Sequence, residues 1–153
     1  MLRFLFDPLG DAHADLVLKI DGLPGMAQVV DTYYLADLIG DKDMDEADDV
    51  RRKVVLRYVD FVKEQIISFN GQPRFIPVDL SDQYVGGLLL SPARNGLLNV
   101  NYVWSNVLTG SCLQMDQDFS VIDWKEQGTW LMSKDAMIEG LNWTLRNIHG
   151  GHD

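Results

Sequence analysis

The sequence predicts an α+β fold: an antiparallel sheet, mainly from residues 74–126, packed against a long helix over 45–69 and a C-terminal helix over 133–148. Three observations predict it. Apolar residues recur at three- and four-residue spacing between Asp45 and Phe69, the period falls to two from Phe75 onward, and a second helical pattern follows Ser133. The length of 153 residues, with 46% hydrophobic and 24% charged residues, suits one domain, 1–153, with one core.

Residues 2–6 and 15–20 read as short strands, the second alternating apolar and charged side chains and closed by the turn-forming Asp21-Gly22-Leu23-Pro24-Gly25. The stretch 26–39 mixes helical spacing with the β-formers Val29, Val30, Thr32, Tyr33 and Tyr34, and is expected to be a helix or an irregular segment ending at Gly40. In the long helix Val50, Val54, Tyr58, Phe61 or Val62, Ile66 and Phe69 form the apolar stripe, with Arg51, Arg52, Lys53, Arg57, Lys63 and Glu64 mostly between them. Asn70-Gly71-Gln72-Pro73 supplies the glycine and proline that stop a helix. Residues 75–80, 83–90 and 97–107 then form three strand-like runs of a meander, with Gly86-Gly87 marking a bulge or a close backbone approach. In the third run Leu98, Val100, Tyr102 and Trp104 share one face, which reads as core. Residues 116–126 interleave acids with Phe119, Val121, Ile122 and Trp124 and are a candidate fourth strand. Ser133 is placed to cap the last helix, with Asp135 in its first turn and Gly150-Gly151 beyond its end.

The net charge is −10, and residues 1–49 hold 12 acids and 3 bases. Nearly all the excess lies in the first third, which argues against nucleic acid or an anionic membrane as a partner and favours a basic protein drawn in by the field. GDKDMDEADD, residues 40–49, packs six carboxylates around one lysine. Asp41, Asp43 and Asp45 match the opening of a calcium loop, but Glu46 stands where the turn glycine belongs and Arg52 where the bidentate glutamate belongs. Asp45, Glu46, Asp48 and Asp49 are explained as first-turn charges favoured by free N–H groups. Asp37, Asp41 and Asp43 precede the helix and repel the others, so the stretch is either a solvated cap or a docking surface.

No phosphate loop, dinucleotide fingerprint, C-x-x-C, H-E-x-x-H or G-x-S-x-G is present, and no cofactor or metal is expected. The histidines are His13, His149 and His152, and the lone Cys112 excludes an internal disulfide and fits a reducing, cytoplasmic setting. No apolar run reaches bilayer length, and the opening MLRFLFDPLGD is too broken for a signal peptide. Carboxylates of residues 116–126 (Asp116, Asp118, Asp123, Glu126) could pair as acid and base of a hydrolase, or form a solvated hairpin. On a helical wheel Ile138, Leu141, Leu145 and Ile148 form the core stripe of the last helix, and Trp143 falls about 180° from its centre. It is a candidate anchor for a partner or a second copy of the chain, or a side chain packed beneath a neighbouring loop.

In size, acidity and α+β pattern the chain resembles the small bacterial immunity proteins of contact-dependent growth inhibition and related polymorphic toxin systems. That resemblance implies a non-enzymatic protein that neutralises a basic, nuclease-type toxin domain, with the acidic stretch standing in for nucleic-acid phosphate. The partner-binding residues expected on this reading are Asp41, Asp43, Asp45, Glu46, Asp48 and Asp49 for steering and Trp143 as anchor. The chain is also similar in size and acidity to type III secretion chaperones, which hold an unfolded segment in apolar grooves; its opening strand counts against them.

Overall fold

The computed structural model describes residues 1–11, 13–40, 48–110, 113 and 118–150, and within Asp48 the backbone only. The acidic positions Asp41, Asp43, Asp45 and Glu46, and also Cys112, Asp116, Gly151 and His152, lie outside the described residues.

β1 (Leu2–Phe6), β2 (Leu16–Ile20) and β3 (Met26–Val30) form a three-stranded antiparallel sheet in that order. Alternation builds it: Leu16, Leu18 and Ile20 are buried while Val17 and Lys19 are half-buried, and Leu2 and Phe4 face Ile20 and Leu18 across the ladder. The stretch 26–39, expected as a helix or an irregular segment ending at Gly40, is instead a strand followed by a short helix, α1 (Thr32–Leu38). Val29 and Val30 complete the pairing with β2, and the Asp31 carboxylate accepts from the Tyr33 N–H at 2.9 Å, capping α1 where the strand ends.

α2 (Asp48–Ile67) follows, and among the described residues its buried stripe is Arg51, Val54, Val55, Tyr58, Val59, Val62 and Ile66. Arg51, expected on the polar face, is 3% exposed; Val50 and Phe61 are only half-buried. Beyond the helix Gly71 adopts a left-handed φ of 94°.

β4 (Arg74–Leu80), β5 (Val85–Pro92), β6 (Leu98–Ser105) and β7 (Lys125–Met132) form a four-stranded antiparallel meander. The fourth strand thus starts near the end of the stretch expected for it. Residues 118–124 lie outside the sheet: Phe119 and Trp124 cover Phe75, with ring centroids 4.9 and 4.4 Å away, so their spacing imitates a strand while serving as an aromatic cover. The register shifts in β4 between Pro77 and Asp79, and between β6 and β7 after Tyr102, leaving Val78 and Gln127 outside the ladder. Gly87, opposite the first shift, is pressed against the Ile76 carbonyl and the Phe75 ring, the close approach its sequence position suggested.

α3 (Lys134–His149) is capped by Ser133, whose hydroxyl accepts from the Ala136 N–H at 3.1 Å. It packs on α2 and along β1. Its buried stripe is Met137, Gly140, Leu141, Thr144 and Ile148, so Ile138 and Leu145 are displaced to the margin. The small residues explain the rotation. A Cβ at Gly140 would overlap the Leu2 carbonyl, and the Thr144 hydroxyl accepts from the Phe4 N–H at 2.9 Å and lies 3.1 Å from the Phe4 carbonyl. One continuous core joins both sheets and the helices, with Phe4 and Tyr58 edge to face at 5.5 Å and the Tyr58 hydroxyl donating to the Pro77 carbonyl. Among the described residues no helix is long and apolar enough to cross a membrane.

Candidate functional site

Two concave surfaces are candidate sites, and the first contains Trp143. Its cleft of about 300 Å³ is walled by β1 and the following turn (Phe4, Leu5, Phe6, Pro8), by Arg52 of α2, and by Trp143, Asn147 and Ile148 of α3. Trp143 is half-buried, and the Arg3 guanidinium stands 5.0 Å from its ring centre while also meeting Asp21 at 3.4 Å. Arg52 donates to the Ile148 carbonyl at 2.5 Å and lies 5.7 Å over the Phe6 ring. Leu9, 92% exposed, follows the lining residue Pro8.

In sequence the acidic stretch runs into α2. Asp48 begins α2; Asp49 is exposed, with Lys53 3.7 Å away, and stands one helical turn before Arg52 on a neighbouring stripe of the helix. Arg52 of α2 and Trp143 thus line one cleft, and Asp49 is not among its lining residues. Of the expected steering residues, Asp49 alone has its side chain described.

The described carboxylates of 118–126 are held by local partners or exposed. Asp118 caps the 3₁₀ turn Phe119–Val121, and hydrogen bonds from the Ser120 hydroxyl and N–H hold its carboxyl below the usual range. Asp123 and Glu126 are exposed, and Glu126 accepts from the Thr129 hydroxyl.

The second cleft, about 320 Å³, is lined by Gln28, Asp79, Tyr84, Tyr102, Trp104 and Gln127. Asp79 is 4% exposed, and its Oδ2 accepts from Gln28 Nε2 at 2.8 Å, the Tyr84 hydroxyl at 3.0 Å and the Tyr102 hydroxyl at 3.3 Å. Burial pushes its carboxyl above the ordinary 3.8, against the pull of those donors. Burial and then the Asp79 charge push the Tyr84 phenol up to about 12, and they raise Tyr102 further. Tyr102 can reach the carboxylate because Gly86 has no side chain: a Cβ there would stand 2.8 Å from the Tyr102 hydroxyl oxygen. Trp104, expected in the core, is half-buried at the cleft, with the Lys125 ammonium 4.4 Å from its ring centre.

Sequence reasoning missed this cleft. The available signal was Asp79 itself, a carboxylate inside the otherwise apolar run FIPVDL, opposite two glycines. A third polar cluster is also buried: Asp15, 0% exposed, receives Arg51 at 3.0 Å and the Thr32 hydroxyl at 3.1 Å, while Arg51 donates to the Pro8 and Gly10 carbonyls. It ties the 7–14 loop to α2. Among the described residues no group of three or more His, Cys, Asp or Glu is placed to hold a metal ion. No family model, curated protein or solved structure matches the chain.

Proposed function

We propose that the protein is a binding protein that docks a basic protein partner at the end of the fold where α2 begins, in the manner of an immunity protein neutralising a nuclease-type toxin. What supports this reading is the Trp143 cleft, to which α2, the helix that continues the acidic stretch in sequence, contributes Arg52. Asp41, Asp43, Asp45, Glu46, Asp48 and Asp49 would raise the encounter rate, and Trp143 with the apolar wall of Leu5, Phe6 and Pro8 would slow dissociation. Arg3 shields the Trp143 ring in the free protein, so a partner cation would have to displace it.

The test is a pull-down from native cytosol with wild type and a variant carrying Asp41→Asn, Asp43→Asn, Glu46→Gln and Asp49→Asn. Recovery of a basic, toxic partner by wild type and its loss in the variant support the reading. Equal recovery by both, or by neither, overturns it. With the partner in hand, the association rate should fall steeply from low to physiological salt; a salt-independent rate would favour a chaperone-like apolar groove.

A further inference from the structure

We infer that the cleft floored by Asp79 is a binding site for a guanidinium group, a ligand site independent of the proposed docking surface. The Asp79 carboxylate is buried, yet its three hydrogen bonds come from neutral donors and all fall on Oδ2. The carboxylate also lines the cleft, so a ligand there can reach it. A buried carboxylate without a countercharge is costly, and a cation brought to it would offset that cost.

The surroundings select the cation. Trp104 already holds an ammonium, that of Lys125, at 4.4 Å from its ring centre; the two residues are directly opposite each other on β6 and β7. The ring face is thus cation-accepting, and the exposed Lys125 is a displaceable occupant. A guanidinium stacking flat on the indole would turn its fork of donors toward the Asp79 carboxylate and the Gln127 carboxamide, which line the same cleft. It is more weakly hydrated than an ammonium and so costs less to bring into a half-buried cleft. The volume, about 320 Å³, leaves room for the alkyl chain that carries such a group.

The backbone is shaped around the same point. Both register shifts of the sheet border the cleft: Val78 bulges beside Asp79, and Gln127, the residue left out between β6 and β7, lines the cleft. Bulges re-aim side chains at functional sites, and here two of them, with Gly86 clearing the path of Tyr102, converge on one carboxylate.

The experiment is an NMR titration of the ¹⁵N-labelled full chain with L-argininamide, following the Trp104 indole and the Gln28 and Gln127 side-chain amides. The expected result is saturable, localised shifts, an affinity about tenfold weaker in Asp79→Asn and severalfold tighter in Lys125→Ala, where the competing cation is removed. A capped Gly-Arg-Gly peptide run alongside separates the two sources: equal affinity assigns the site to a free guanidino compound, and affinity at least tenfold tighter for the peptide assigns it to an arginine of a protein. Absence of saturable shifts into the tens of millimolar with both probes overturns the inference, as does equal affinity of wild type and Asp79→Asn. Should Asp79→Asn fail to fold, Trp104→Leu takes its place with the same criterion.

Discussion

Arg51 occupies the apolar stripe of α2, three and seven residues before Val54 and Tyr58, and that position was legible on a helical wheel although its charge argued for the polar face. What the sequence could not show was Asp15, 36 residues away, whose burial makes the guanidinium necessary. Arg51→Met leaves that carboxylate buried without its countercharge and is expected to destabilise the protein by about 3–5 kcal/mol near neutral pH, read from urea midpoints. The loss should shrink on acidification. Burial already raises the Asp15 carboxyl above its ordinary 3.8, and without Arg51 it becomes neutral at a still higher pH. A loss of the same size at about pH 4 and about pH 7 would show that another contact of Arg51 dominates. Asp79 makes a related prediction. Its folded pKa lies above 3.8, so the folded form binds the extra proton, and its contribution to stability is full below that value and declines as pH rises through the folded pKa. The unfolding free energy of wild type minus that of Asp79→Asn should therefore fall from acid toward neutral pH, and a rising difference would contradict the burial of this carboxylate.

At the scale of elements, long patterns were readable and short mixed ones were not. α2 and α3 carry enough turns for their period to show, and β1 and β2 alternate cleanly. Over 26–39 a five-residue strand and a seven-residue helix adjoin, each too short for periodicity to separate, and only the capping Asp31 between them marks the boundary. The rotation of α3 was hidden for a different reason: apolar counting ignores glycine and threonine, yet Gly140 and Thr144 form the contact with β1. That contact yields a prediction of opposed effects. Alanine favours an exposed helix over glycine by about 1 kcal/mol, but a methyl at position 140 meets the Leu2 carbonyl, and overpacking typically costs about 1–3 kcal/mol. Gly140→Ala should lower Tm by a few degrees in a thermal melt. A higher Tm would mean that α3 does not rest on the β1 backbone.

Across the whole molecule, charge is distributed more unevenly than apolar surface. Residues 1–49 hold 12 of the 23 acids and 3 of the 13 bases, and their mutual repulsion is relieved by salt. Raising ionic strength from about 0.01 M to about 0.15 M, where the screening length contracts from about 30 to about 8 Å, should raise Tm. The variant amidated at 41, 43, 46 and 49 should respond less. An identical response would place the repulsion elsewhere. The charge imbalance was visible in the sequence, and so were the helix and the tryptophan; that Arg52 of α2 and Trp143 line one cleft required the packing of α3 beside β1. The same packing has a consequence in time. Phe4 and Thr144 are 140 residues apart, so on the ribosome β1 is made first and its covering helix on the order of ten seconds later, at elongation rates of about 5–20 residues per second. Through that interval the strand's polar edge has no native cover, which makes the nascent chain, rather than the finished protein, the form most in need of a chaperone.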